Sequence, residues 1–244
     1  MSTGSVDPRT LNWASRNSKR RTDEWIAHLF EPFLEGVGSG EKVTMLSLPA
    51  NAWGFERYML DQYDDFKWSF TGIEANEGVY RKMKSKSRTM VSEEGTPVVE
   101  SVHNCTTRTY LRENSSEVYD IIYFDYMGTW SQSKEEDVVK IAGNHMCKVF
   151  ACTIALARGR PETLNIIKSL SSFGGHHLGF IEDHTGRHMD NPHYKITGVP
   201  ERIVQLTEEV GNPFKLVGGF VYDSLPPDME QTASEMTMVF QVKS

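Results

Sequence analysis

The order of apolar segments constrains this chain more than any other feature. Five apolar runs, Lys42–Leu48, Lys67–Ile73, Thr96–Val102, Val118–Phe124 and Lys148–Leu156, belong to repeating strand–helix units. The helical segments fall at Phe55–Tyr63, Gly78–Ser87, Lys134–His145 and Glu162–Phe173. Strands that are apolar on both faces and alternate with helices predict a parallel sheet covered on both sides. The ending departs from that rhythm. After a helix over Pro200–Val210, the runs Phe214–Asp223 and Glu235–Val242 are joined by a turn-rich loop containing Ser-Leu-Pro-Pro-Asp. With no helix to carry a crossover, these two strands are antiparallel neighbours. The expected fold is therefore α/β: a doubly wound, mostly parallel seven-stranded sheet with helices on both faces and a C-terminal antiparallel β-hairpin.

The first dozen residues are polar and hold Pro8, so a loose arm is expected there. From Ser18 to Glu35, Trp25, Ile26, Leu29, Phe30, Phe33 and Leu34 recur at helical spacing, and Gly36, Gly38 and Gly40 end the helix. The domain division is thus 1–41, an arm and helix, and 42–244, the α/β domain. No stretch of roughly 18 apolar residues is present, which argues against a membrane span. Cys105, Cys147 and Cys152 form neither a disulfide framework nor a zinc pattern. Reduced thiols in a cytoplasmic protein are the simple reading. The net charge of -7 argues mildly against a nucleic-acid binder, although Arg16, Lys19, Arg20 and Arg21 form one basic cluster and Arg81, Lys82, Lys84, Lys86 and Arg88 another.

Four exits from these strands carry polar or turn-forming residues. They are Ser47-Leu-Pro-Ala-Asn-Ala-Trp-Gly54, Glu74-Ala-Asn-Glu77, His103-Asn104 and Asp125-Tyr-Met-Gly-Thr-Trp130. With the order of elements, they make residues 42–244 resemble the class I (Rossmann-like) S-adenosylmethionine-dependent methyltransferases, as a divergent member. The resemblance implies S-adenosyl-L-methionine lying across the ends of the first, second and fourth strands, where a doubly wound sheet reverses its strand order. Leu48, Pro49, Ala50, Asn51 and Gly54 would then approach the methionine part; only Gly54 remains of the family's glycine-rich turn. Glu74, followed by Ala75, would take the ribose hydroxyls, since a carboxylate accepts two hydrogen bonds from a diol. His103 and Asn104 would meet the adenine. Each stretch also reads as an ordinary helix-entry turn or loop, with Glu74 as a first-turn acid.

Asp125 is implied as both a cofactor contact and a catalytic residue that orients or deprotonates an amine, and Tyr126 beside it as a catalytic-site residue that stacks on a flat substrate. The stretch is similar to the Asp-Pro-aromatic-Gly run of the tRNA guanine-N2 dimethyltransferases, without the proline. Asp120 lies at the other end of the same strand. Trp130 is a candidate for stacking on a flat substrate, and Arg158 and Arg160 for holding a phosphate; packing and solvated charge are the plain alternatives. Between His176 and His193 stand five histidines with Glu182, Asp183 and Asp190. Glycines and Pro192 disfavour a helix there, so a substrate-facing insertion is expected rather than a metal site. The expected activity is methylation of a nucleic acid or nucleotide amine, with RNA or DNA as the possible partner. Small-molecule or protein methylation, or a non-catalytic binding protein, are the alternatives. The oligomeric state is not legible.

Overall fold

The computed structural model describes residues 17–50, 52–126, 128–158, 168–169, 192–223 and 233–243. Its strands are β1 (Lys42–Ser47), β2 (Lys67–Ile73), β3 (Val99–His103), β4 (Tyr119–Asp125), β5 (Cys147–Arg158), β6 (Lys168–Ser169), β7 (Phe214–Asp223) and β8 (Ala233–Val242). Its helices are α1 (Asn17–Leu34), α2 (Gly54–Gln62), α3 (Glu77–Ser87), α4 (Thr107–Glu113), α5 (Gln132–Gly143) and α6 (Pro192–Glu209). One sheet runs in the order β3-β2-β1-β4-β5-β8-β7-β6. Strands β1 to β5 pair in parallel. Strand β8 is inserted antiparallel between β5 and β7. The expected seven strands are all present, and the two-residue β6 adds an edge against β7. Sheet order reverses at β1, which lies between β2 and β4.

Each face buries its own core. Ile26, Ala27, Phe30 and Leu34 of α1, Phe55 and Met59 of α2 and Met83 of α3 pack on Val43, Met45, Phe70, Ile121 and Tyr123. On the other face Tyr110 and Leu111 of α4, Val138 and Ile141 of α5 and Val199 and Ile203 of α6 pack on Leu46, Ile122, Phe124 and Phe150. Fully buried Phe150 of β5 contacts the rings of Phe124, Phe214 and Phe240 at 6.0–6.4 Å.

Several boundaries differ from the sequence reading. Strand β3 starts at Val99, because Val91 and Pro97 bridge and close a separate turn before it. Helix α4, which the apolar spacing does not mark, is a seven-residue element capped by Thr106, whose side chain accepts the Thr109 N–H. Helix α6 begins at Pro192 and runs through Pro200. Of the expected helix Glu162–Phe173, only Lys168 and Ser169 are described, and they are extended. The N-terminal arm lies outside the described residues. Among those described, no helix is long and apolar enough to cross a membrane.

Candidate active site

The register of three strands builds the site. Ser47, the last residue of β1, pairs with Gly72 on one side and Tyr123 on the other. Side chains alternate along a strand, and Val43, Met45, Phe70, Ile121 and Tyr123 all face α1 to α3. Two residues beyond Gly72 and Tyr123 come Glu74 and Asp125, on that same face, flanking the exit of β1. The ladder still holds at Glu74, whose N–H donates to the His103 carbonyl at 3.0 Å. One strand separates the two carboxylates, so they stand roughly 10 Å apart across the sheet. Both are half-buried, at the edge where Ala50, Ala75 and Asn104 are exposed. Asp120 lies at the far end of β4, where it accepts from the Thr44 N–H and hydroxyl at 2.9 Å and pairs with Lys148 at 2.8 Å.

The β1 exit keeps a glycine-like backbone without the glycines. Ala50 has φ 50° and Trp53 φ 55°, both left-handed, and the Trp53 N–H donates to the Pro49 carbonyl at 3.2 Å. An L side chain pays for that conformation. Ala50→Gly is expected to stabilise the fold by about 0.5 kcal/mol, strain relief exceeding the extra chain entropy. A thermal melt should show a rise of about 1–2 °C. Trp53 is fully buried; its indole N–H donates to the Met83 carbonyl at 3.0 Å and its ring lies on Gly72, where a Cβ would come within 2.6 Å of it. The ring and Pro49 thus form a floor one register step below Glu74. Leu48 is half-buried and Gly54 starts α2 with open space around its Cα. Asn51 lies outside the described residues.

The exits of β2 and β3 are tied together. Asn76 caps α3, its side chain accepting from Gly78 and Val79, while its own N–H donates to Glu74 Oε1 at 2.6 Å. That contact fixes one carboxylate oxygen of a side chain that is half-buried at the sheet edge. Asn104 donates to the Glu74 carbonyl at 2.8 Å. His103 goes elsewhere. It pairs with Ile73, which faces α4 to α6, stacks edge-on against Tyr110 at 4.8 Å and bonds Ser101 at 2.9 Å. Burial lowers its pKa. Its ring is on the opposite face from Glu74, so only Asn104 and the backbone of this pair border the Glu74 edge.

The loop after β4 is clasped from beneath. Tyr126 is buried and donates its hydroxyl to Asp137 of α5 at 3.0 Å; Asp137 also accepts from Thr107 at 2.6 Å. Burial raises the Asp137 pKa, and the Thr107 and Tyr126 bonds oppose that rise. Lys134, itself buried, donates to the Thr129 and Gly128 carbonyls and sits 5.4 Å over the Tyr126 ring. The Ala155 N–H also donates to Gly128. Trp130 packs on the α5 core and donates to Glu135 at 3.2 Å. Tyr126 therefore holds the loop rather than facing the edge. Tyr126→Phe is expected to cost about 1–2 kcal/mol at neutral pH, since a bond to a carboxylate is lost. That bond lowers the folded-state pKa of Asp137, so the cost should shrink as pH falls and Asp137 protonates; denaturant melts at neutral and acid pH check it.

Arg158 ends β5 at this sheet edge, but its side chain, Arg160 and the His176–His188 stretch lie outside the described residues. Among those described, no group of three metal-ligating side chains occurs. The sequence reading missed Lys134 and Asp137, polar positions on a helix whose apolar residues alone drew notice, and Trp53, whose place in a turn hid its burial.

No family model and no curated protein matches this chain. Solved structures do. The methyltransferase domain of a bacterial Hen1, CtHen1-CN, is similar at a TM-score of 0.52 and 10% identity, over 92% of this chain and 100% of that domain. Trm5b from Pyrococcus abyssi is similar at 0.50 and 9% identity, over 98% of this chain and 50% of that one. TYW2 from M. jannaschii, solved in complex with AdoMet, gives 0.46 and 12% identity, over 98% of this chain and 81% of that one. At such identities the likeness is one of fold, and the fold is that of the class I S-adenosylmethionine-dependent methyltransferases.

Proposed function

We propose that this chain is an S-adenosylmethionine-dependent methyltransferase acting on an amine. One observation carries the reading: Glu74 and Asp125 flank the β1 exit on one face of the sheet, at its switch point. The residues fit the cofactor. Glu74 offers a half-buried carboxylate at the sheet edge for a ribose diol, Asn104 and Ala75 border the adenine side, and the left-handed backbone at Ala50 lets the turn come close to the methionine part. When bound, the cofactor would supply a methyl group activated by its sulfonium for an acceptor nitrogen. The chain's own tasks are alignment, exclusion of water and removal of a proton. Asp125 receives the N–H proton. Tyr126, Lys134 and Asp137 keep the loop beside it in place, and Trp130 and Arg158 stand at the acceptor rim.

Calorimetry with S-adenosylmethionine and S-adenosylhomocysteine tests the reading. Asp125→Ala is expected to keep S-adenosylhomocysteine affinity within about threefold of wild type while methyl transfer to any acceptor found falls at least about 100-fold. If the wild-type chain binds neither nucleoside, a non-catalytic role replaces this reading.

A nucleic-acid acceptor has one supporting observation: Arg81, Lys82, Lys84, Lys86 and Arg88 are all exposed on or just after α3. That helix starts at the Glu74 edge and runs back toward the other end of the sheet, so most of these charges lie away from Asp125. Salt-dependent retention on RNA or DNA that disappears when they are reversed would favour this acceptor.

A further inference from the structure

Helix α3 presents its cations as one continuous face. Met83 is its buried residue, packed on the sheet, while Val79, Tyr80 and Ser87 are half-buried. At about 100° per residue, Arg81, Lys84 and Arg88 form one stripe on the outward arc and Lys82 and Lys86 a second. All five are exposed. The helix carries one acid, Glu77, and Arg81 takes it at 2.7 Å. Lys82, Lys84, Lys86 and Arg88 make no ion pair with any described residue. Arg57 of α2 donates to the Thr89 hydroxyl at 3.0 Å and so adds a cation beside the end of this face.

Residues 77–88 thus hold five cations against one acid in a chain whose net charge is -7. Lys82 and Lys86, and Lys84 and Arg88, stand four apart, a spacing at which like charges repel. An extended anion laid along the face relieves both pairs. A helix that lies on a membrane exposes apolar residues for insertion, and α3 exposes none. An aromatic ring stands among the cations instead. The Lys84 ammonium lies 5.4 Å from the centre of the Tyr80 ring and donates to its hydroxyl at 3.1 Å. Cations to follow a phosphate backbone, with an aromatic ring for a base, are what single-stranded nucleic acid requires.

We infer that Arg81, Lys82, Lys84, Lys86 and Arg88, with Tyr80, anchor a single strand of nucleic acid by its phosphates, at a place separate from methyl transfer. Lys84 stands about 10 Å along the helix from Glu77, which puts it roughly 20 Å from Asp125 once the strand spacing is added. A mononucleotide bound at Asp125 does not touch this face; a strand several nucleotides long reaches both. The anchor holds whether or not the strand is itself the methyl acceptor, so it goes beyond the methyltransferase reading.

Fluorescence anisotropy of a labelled oligothymidylate of about 15 nucleotides, titrated with the full chain in the absence of cofactor, tests the anchor. Because no cofactor is present, this result and the methyltransferase reading can fail separately. The wild-type chain is expected to bind with a log–log salt slope of about -3 or steeper, about 0.7 for each of four unpaired cations. Lys82→Gln, Lys84→Gln and Lys86→Gln together, surface changes that leave the fold intact, should weaken binding at least about tenfold at low salt and make the slope shallower by about 2. Tyr80→Leu should weaken binding at least about fivefold and leave the slope unchanged. The control, Lys67→Gln with Arg112→Gln and Lys215→Gln, removes the same charge from exposed positions on β2, α4 and β7 and should change affinity less than about twofold. Absence of binding by the wild type, equal losses in the two triple variants, or tighter binding to a duplex of the same length or to phosphatidylserine vesicles would overturn the assignment.

Discussion

Glu74→Ala is expected to weaken S-adenosylhomocysteine binding by about 100-fold, because hydrogen bonds from a diol to a charged carboxylate are worth about 1.5–3 kcal/mol each. The residue is held ready for that role. Its Oε1 is fixed by the Asn76 N–H at 2.6 Å and its carbonyl by Asn104 at 2.8 Å, so little ordering remains to oppose binding. Glu77, on α3 and paired with Arg81 at 2.7 Å, is the natural control. Glu77→Ala removes the same charge close by and is expected to change affinity less than about twofold. Equal losses in the two variants would mean that net charge, not the Glu74 position, governs binding.

Trp53→Ala is expected to be the most damaging change to the fold near the site, at about 3–5 kcal/mol. The indole is wholly buried between Gly72 and Met83, and it donates a bond to the Met83 carbonyl that no small side chain replaces. A fall of about 10 °C in the melting temperature is the expected readout. Trp53→Phe should recover part of the packing but not that hydrogen bond. Because the ring underlies the Glu74 edge, Trp53→Ala should also weaken nucleoside binding under conditions where the variant remains folded.

The central sheet was legible because β1, β2, β4 and β5 are apolar on both faces, a pattern that only a doubly covered strand needs. The hairpin was legible because a turn-rich loop, too short for a crossover, joins Phe214–Asp223 to the last strand. Glu74 and Asp125 stood out as carboxylates closing apolar runs. What escaped were features that depend on register and tertiary approach. A register shift between Phe70 and Thr71 sets which way β3 side chains point, and it turns His103 toward α4. One residue of slip exchanges the faces of a strand, and no residue type announces it. Tyr126 reads as an aromatic residue after an acid; its partner Asp137 lies on a separate helix. Ser47 and Tyr123 are single polar positions in apolar surroundings, and only the pairing of β1 with β4 sets them side by side.

The central claim is that two carboxylates, from β2 and β4, border one nucleoside site around the exit of β1. Electron density from crystals soaked with S-adenosylhomocysteine tests it most directly. The account predicts the ribose against Glu74 and the sulfur directed toward Asp125. A nucleoside bound elsewhere on the molecule, or one that contacts neither carboxylate, would contradict it.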